Sequence, residues 1–396
     1  MVLMKRIIHN AGCGSFCTET FYYHPFKEKP FFNVVYDCGS SDMKKEVQQE
    51  ARNYFSHYGN IDLLFISHLD ADHVNGIKAL RQFMDGGTKV FLPFFEDGYR
   101  LLSGGGYFAC YFDLVDFLTQ NQIPIIYINA NSKENEGESI GIEDLGNKTS
   151  YPSGAIIILE VRHCIWEYIP FNIQGFNIQE SIDIKNIKSA CIEQKMTEQE
   201  IDSCINHHPI NNEIQGKLKK VYNKISKTYT GVTAANMSSM LLISKENKSC
   251  EVFHSDILDG WHTDINSSQI NLKYSTDGYQ LRNASCLYTG DAGLKESDFF
   301  NIVLKYYHKH LPHGVGIMQI PHHGTVHYYP NDLFNQINME MAFVNITLSS
   351  SNPLFYAQIP FDFANKHIPL YIVTNESYSR INNNVLWCNG QILGCF

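Results

Sequence analysis

Along the chain, short runs of consecutive apolar residues alternate with segments whose apolar positions recur every three or four residues. The runs at 5–12, 31–37 and 61–66 read as strands. Between them, 42–58 carries charged and polar residues at helical spacing and fills a first crossover. The pattern then predicts a helix over Asn75 to Met84, a strand over Lys89 to Pro93, a helix over Tyr107 to Asn121 and a strand over Ile123 to Asn129. Asn131 to Pro152 is polar, with Gly137, Gly141 and Gly146, which predicts loops and a short strand. Ala155 to Arg162 reads as a buried strand. The second half repeats this logic, with strands at 238–244, 250–254, 285–289, 315–320, 341–346 and 369–373. Its helices are predicted at 296–310 and near 355–366. Strand-rich stretches with interspersed helices suit two sheets packed face to face with helices outside.

Residues 165–232 interrupt that pattern. Ile182 to Ile225 is helix-like, broken at His207-His208-Pro209. The stretch reads as a helical insertion between the two halves of one domain spanning 1–396. Its roles to weigh are a lid, a substrate selector, and a contact for a partner protein or a homodimer. A packing appendage accounts for it equally well.

Composition narrows the class. A chain of 396 residues can bury a large core. It holds no apolar run of about 18 residues, so no membrane span is expected. The apolar start, Met1 to Ile8, is too short before Asn10 for a secretory signal. Eleven cysteines is an odd count without a paired C-x-x-C array. Cys38, Cys110 and Cys286 sit in apolar settings, so reduced core thiols in a cytoplasmic protein are expected. The formal charge of −10 argues against a broad basic face for gripping duplex DNA. Lys217, Lys219, Lys220, Lys224 and Lys227 form a local basic cluster that reads as a solvated helix face.

The candidate chemistry lies mainly in Phe65-Ile66-Ser67-His68-Leu69-Asp70-Ala71-Asp72-His73. Two imidazoles and two carboxylates fall within six residues, directly after an apolar strand. Alternate residues can point to different sides, so such a turn can serve two neighbouring divalent ions.

His68-x-Asp70-x-Asp72-His73 resembles the metal-binding signature of the metallo-β-lactamase superfamily, with Asp70 where the usual form has a second His. That variant looks like the hydrolase domain of the ComEC-type DNA-uptake proteins and their soluble relatives. Four further stretches follow in the right order. Val34-Val35-Tyr36-Asp37-Cys38-Gly39 looks like the first motif, and Asn236-Met237-Ser238-Ser239 like the Asn-x-x-Ser strand of the ComEC-like group. Leu287-Tyr288-Thr289-Gly290-Asp291 looks like the fourth motif, and Pro321-His322-His323-Gly324-Thr325 like the closing Pro-His-His-Gly-Ser. The match spans roughly residues 5–350. The resemblance implies an α/β fold, the αββα four-layer sandwich. It also implies a hydrolase with two divalent metal ions, zinc or manganese, with magnesium as a further option.

By this resemblance, His68 and Asp70 serve the first ion; Asp72, His73 and a histidine of the second half serve the second. Asp291 bridges them. Two ions about 3.5–4 Å apart can hold a hydroxide between them. Of the histidine pair, His323 is assigned as ligand. His322 is assigned to steady an oxyanion or protonate a leaving group, and the reverse assignment fits the same spacing. Asp37 orients a ligand imidazole rather than touching metal. His163, at a strand end before the insertion, is the candidate for a further imidazole of the first ion; an ordinary strand-end histidine fits that position equally. Asp70, a harder donor than imidazole, shifts preference from zinc toward manganese or magnesium.

The implied activity is that of a phosphodiesterase or nuclease acting on nucleic acid or a nucleotide. The alternatives are hydrolysis of a small molecule (cyclic nucleotide, lactone or β-lactam) and a metal-free binding module on the same fold. Other features carry less. His254 and His262 could rim a pocket, and His308 and His310 read as an exposed helix end. Cys13-Gly14-Ser15-Phe16-Cys17 is a turn near the expected substrate side. Gly104-Gly105-Gly106 lacks the Lys-Ser/Thr of a phosphate loop.

Overall fold

The computed structural model describes residues 2–23, 29–94, 109–130, 137–162, 164–172, 184–205, 211–226, 239–247, 251–266, 269–275, 279–295, 297–325, 328–330, 332–347, 359, 362–363, 365–375 and 379–388. Two mixed sheets form the centre. The first contains β1 (Val2–Ile8), β2 (Gly14–Tyr22), β3 (Phe32–Ser40), β4 (Leu63–Phe65), β5 (Lys89–Pro93), β6 (Ile125–Asn129), β8 (Ser150–Pro152), β12 (Glu251–Asn266), β13 (Gln269–Ser275) and β19 (Ile381–Cys388). Its spatial order is β13-β12-β19-β1-β2-β3-β4-β5-β6-β8, with the short β14 (Tyr279–Gln280) pairing β12. The second contains β7 (Ser139–Gly141), β9 (Ile156–Val161), β10 (Cys164–Asn172), β11 (Met240–Glu246), β15 (Cys286–Tyr288), β16 (Val315–Gln319), β17 (Met339–Asn345) and β18 (Leu370–Val373). They run in the order β18-β17-β16-β15-β11-β10-β9-β7.

Period-two alternation explains the layers. In β3 and β4, Val34, Tyr36, Leu63 and Phe65 face inward, into a cluster shared with Met240 and Leu242 of β11 and Met341 and Phe343 of β17. Their neighbours Val35 and Leu64 face outward onto α1 (Lys44–Tyr58), through its Val47, Ala51 and Phe55. On the far side, Leu241, Ile243, Met318 and Val344 pack with Phe299, Phe300, Val303 and Tyr307 of a helix over Ser297–His310. Helix, sheet, sheet, helix is the αββα four-layer sandwich.

A polar knot ties the sheets through their shared core. The buried Arg6 of β1 pairs with Glu19 of β2 at 2.8 Å. Its guanidinium also donates to Tyr288 Oη, Ala284 O and Asn383 Oδ1. Glu19 accepts from Tyr168 (2.7 Å), Tyr288 (2.9 Å) and Ser244 (2.8 Å) of the second sheet. Buried ions persist only when paired and hydrogen-bonded in this way.

Several elements depart from the expectations. The first strand ends at Ile8, and the chain turns at Gly12 (φ 54°) into β2, which the pattern did not predict. The helix after the metal-type turn starts earlier, as α2 (Ala71–Val74), and continues as a 3₁₀ helix over Ile77–Phe83. The strand at 250–254 extends to Asn266. The predicted helix near 355–366 falls largely outside the described residues.

The largest correction concerns the insertion. Residues 165–172 are not part of it, because they belong to the interior strand β10, whose Trp166, Tyr168, Ile169 and Phe171 are fully buried. The chain leaves the sheet at Asn172 and returns at Met240, which face each other across the β10–β11 ladder. Among the described residues in between lie three helices, α4 (Ile184–Glu193), α5 (Glu198–Ile205) and α6 (Asn212–Ser226), with α3 being the earlier Ala109–Gln120. Ile187, Cys191, Ile201, Leu218 and Val221 join the apolar cluster outside the first sheet. Among the described residues, no helix is long and apolar enough to cross a membrane.

Candidate metal centre

Three strand ends converge. β4 delivers Ser67 and His68, then α2 carries Asp72 and His73. β15 runs through Thr289 and Gly290 to Asp291. β16 leads through Pro321 to His322 and His323. Strands β3, β4, β15 and β16 run so that these loops meet at one end of the sandwich, where backbone groups leave the ladders and side chains converge.

Local backbone geometry makes the meeting close. Gly290 has φ 53°, and a Cβ there would stand 2.6 Å from Ser67 Cβ, so glycine lets β15 approach β4. Gly39 of β3 likewise admits Asp72, whose carbonyl carbon would lie 2.6 Å from an added Cβ. Gln319 Oε1 accepts from the Thr289 and Gly290 amides at 3.0 Å each, fixing the Asp291 loop to β16. Both His322 (φ 48°) and His323 (φ 52°) adopt the left-handed conformation. Two successive non-glycine residues there mark strain held by the surroundings.

Asp291, 3% exposed, sits at the centre. Its Oδ1 lies 3.3 Å from His73 Nε2; its Oδ2 lies 3.7 Å from His68 Nε2 and 3.9 Å from His322 Nε2. His68 Nε2 is also 3.8 Å from Asp70 Oδ2, and His323 Nε2 is 3.4 Å from Asp72 Oδ2. The donors thus fall into two halves beside one carboxylate: His68 and His322 near Asp291 Oδ2, with Asp70 next to His68, and His73 near Oδ1, with the Asp72–His323 pair close by. Asp72, His73, Asp291 and His323 offer ligand atoms all within 4.8 Å of one another.

The outer ring nitrogens are all engaged. His73 Nδ1 meets Asp37 Oδ2 at 2.8 Å, and His68 Nδ1 meets Ser67 Oγ at 2.9 Å. His323 Nδ1 donates to the Asn345 carbonyl at 2.9 Å, and His322 Nδ1 meets Thr325 Oγ1 at 3.1 Å. Tyr328 stacks on the His322 ring at 3.7 Å. Inward, by contrast, the buried Nε2 atoms of His68, His73 and His323 and Oδ1 of Asp70 have no hydrogen-bond partner. Orphaned buried polar atoms are costly unless something else satisfies them. Donor separations of 3.3–3.9 Å are slightly wider than the edges of about 3.0–3.5 Å between ligands bound at about 2.1 Å to one ion. The residues therefore fit a divalent cation, with Asp72, His73, Asp291 and His323 as the group whose ligand atoms lie close enough together.

The electrostatics agree. Burial, reinforced by His73, lowers the His68 imidazole to about 3, so the ring is neutral near pH 7. Burial and the nearby Asp72 and Asp291 carboxylates push Asp70 up to about 7. Burial works against charge on Asp291, yet the facing His73, then His322 and His323, hold it well below the usual carboxylate range. Burial likewise opposes a charge on His73, but Asp291 and Asp37 outweigh it and raise it. A cation entering this group of carboxylates would compete with the proton that Asp291 and Asp37 favour on His73.

Asp37 (φ 55°), fully buried, touches His73 but none of the inward-facing donors of the other residues; it accepts from the Ser67 amide and hydroxyl at 2.7 Å each. His163 lies outside the described residues. Its neighbour Arg162 stacks over Tyr23, where β2 ends away from Gly14, and Gly14 is the end beside Asp72. His207 and His208, Gly104 to Gly106, Lys227 and Asn236 to Ser238 also fall outside the described residues. Lys217 pairs with Glu200 and Glu213, and Lys224 with Glu193, so the basic cluster is partly neutralised. His310 is half-buried rather than exposed, and burial lowers it to about 4. Ser67, Thr325, Tyr328 and Asn345 hold the site together without having been singled out. Only Ser67 carried a signal, its place immediately before His68.

No family model matches the chain, and no curated protein matches it. Among solved structures, a new diphosphatase from the PhnP family aligns over 96% of both chains, at 8% identity and a TM-score of 0.35. FEZ-1 metallo-β-lactamase from Legionella gormanii covers 57% of this chain and 97% of its own, at 11% identity and a TM-score of 0.20. MEM-A1, a subclass B3 metallo-β-lactamase isolated from a soil metagenome library, covers 56% and 94%, at 10% identity and a TM-score of 0.21. Likeness this slight does not bear on activity.

Proposed function

We propose that the chain is a metal-dependent hydrolase holding two divalent ions, and that its reaction is cleavage of a phosphodiester in a nucleic acid or nucleotide. The observation that carries the metal reading is the inward set of orphaned donors around Asp291, each imidazole held from behind through Nδ1. His68, Asp70 and His322 would hold one ion, Asp72, His73 and His323 the other, and Asp291 both. His322 is placed among the donors rather than assigned as proton donor, because its Nε2 shares Asp291 Oδ2 with His68. Each half then offers two imidazoles and two carboxylates and no thiolate. That mixture suits manganese and zinc, with magnesium weaker on account of the nitrogen donors. Bound ions would supply Lewis acidity toward a substrate oxygen and acidify water at neutral pH.

The chain's own residues do the positioning. Asp37 and Ser67 orient the imidazoles of the first sheet, while Asn345, Thr325 and Tyr328 orient those of the second. Support for a phosphodiester comes from Asp70 within His68-x-Asp70-x-Asp72-His73. The four positive charges of two ions would also sit where an anionic substrate needs them, on a chain of net charge −10.

The test is to load the purified protein with manganese, zinc or magnesium in turn, with Asp291→Ala as control. Each form is assayed on single-stranded and duplex DNA, RNA, cyclic nucleotides, a lactone and a β-lactam. Cleavage confined to the last two would replace the substrate class. Failure to retain any divalent ion would overturn the metal reading and leave a binding module.

A further inference from the structure

Ser67 hydrogen-bonds Asp37 and stands within hydrogen-bond distance of the His68 ring. Its amide donates to Asp37 Oδ1 at 2.7 Å and its hydroxyl reaches Asp37 Oδ2 at 2.7 Å. The same hydroxyl oxygen lies 2.9 Å from His68 Nδ1 and farther, 3.3 Å, from His73 Nδ1, which is closer to Asp37 Oδ2 at 2.8 Å. A serine hydroxyl has one proton and two lone pairs, whereas an ionised carboxylate can only accept. The proton of Ser67 Oγ therefore goes to Asp37, and its lone pair is left to receive a hydrogen from His68 Nδ1. That places the lone pair of His68 on Nε2, facing Asp70 and Asp291. On the other side, Asp37 Oδ2 takes the Nδ1 hydrogen of His73 directly, at 2.8 Å. Ser67 is fully buried, so no bulk water replaces it.

We propose that Ser67 is a positioning residue which relays Asp37 to His68, so that one carboxylate fixes the ring protonation of an imidazole in each half of the site. Removing the hydroxyl then frees the His68 ring while leaving His73 held. The consequence for metal loading rests on the dinuclear reading above; the consequence for the ring protons does not.

The first measurement is a long-range ¹H–¹⁵N correlation on full-length, histidine-labelled protein after chelation. The expected result is neutral His68 protonated at Nδ1, and His73 protonated at Nδ1 as well. In Ser67→Ala, His68 should move toward the Nε2-protonated form while the His73 Nδ1 signal stays. Asp37→Asn should disturb both rings, and Ser67→Thr should restore His68. The second measurement is manganese titration, where Ser67→Ala should weaken one of two binding steps by about 10–100-fold and spare the other. Wild-type His68 protonated at Nε2 would overturn the relay without any variant being needed. So would an unchanged His68 in Ser67→Ala, or an equal disturbance of His73. If wild-type protein binds no manganese but the ring protons behave as stated, the metal reading fails and the relay stands.

Discussion

Arg6→Met should be among the most damaging single changes outside the metal centre. It deletes the Arg6–Glu19 pair at 2.8 Å and the bonds to Tyr288, Ala284 and Asn383, and strands a buried carboxylate. Breaking a buried pair by removing one partner costs about 3–5 kcal/mol. The hydroxyls of Tyr168, Tyr288 and Ser244 still donate to Glu19, so the lower end, about 3 kcal/mol, is expected. Glu19→Gln should cost a similar amount, because a guanidinium is left with only neutral acceptors. The double variant carries neither charge and should cost well under the roughly 6 kcal/mol sum, with a coupling of about 2–3 kcal/mol. Urea unfolding of the four proteins gives each value from the midpoint at constant slope. Additive losses, or a loss below about 1 kcal/mol for Arg6→Met, would refute the claim that this knot joins the sheets.

Asp291→Ala should lose both ions and at least about a hundredfold in rate; retention of wild-type metal content would show that Asp291 is not shared. His322→Ala and His323→Ala should each reduce loading to about one ion per chain, read by elemental analysis; equal wild-type loading in either would remove that histidine from the donors. Asp70 is pushed up to about 7 by burial and its acidic neighbours, and it must be ionised to bind a cation, so metal affinity should weaken as pH falls through about 7. Calorimetry in buffers of different ionisation enthalpy should show proton release on loading, and no release would contradict this. Gly290→Ala forces a Cβ to within 2.6 Å of Ser67 Cβ at φ 53°, so a destabilisation of roughly 1–3 kcal/mol is expected in thermal melts, and an unchanged midpoint would show that the loop yields freely.

The sequence made the two-sheet plan and most strand ends legible, because the strands of both sheets alternate cleanly between inner and outer cores. β2 escaped because Thr18, Glu19 and Thr20 look like a solvated edge; they are buried because each finds a partner, Glu19 in Arg6, Tyr168 and Ser244, Thr18 in His9, and Thr20 in Tyr54. β10 lies inside the stretch that breaks the strand pattern, and a proline ordinarily argues against an interior strand, yet Pro170 pairs with Leu242 in the ladder. At the site, the strand-end spacing brought forward His68, Asp70, Asp72 and His73, and the resemblance added Asp291; the structure brings these together. The His322–His323 choice stayed open because adjacent side chains ordinarily diverge, and only the paired left-handed backbone turns both rings toward Asp291. Bonds such as Ser67 to Asp37 and His323 to Asn345 join residues with no periodic relation, so no pattern could disclose them.

Neither sheet alone owns a complete set of donors. His68, Asp70, Asp72 and His73 come from one sheet; Asp291, His322 and His323 arrive more than two hundred positions later from the other. During synthesis, the early loop therefore waits as a fragment of four ligands with no central carboxylate. Contacts this distant in sequence form late, after the cost of closing the intervening chain has been met. Cation capture is thereby tied to completion of the fold, and a chain whose second sheet has not docked offers metal little more than an ordinary acidic turn would.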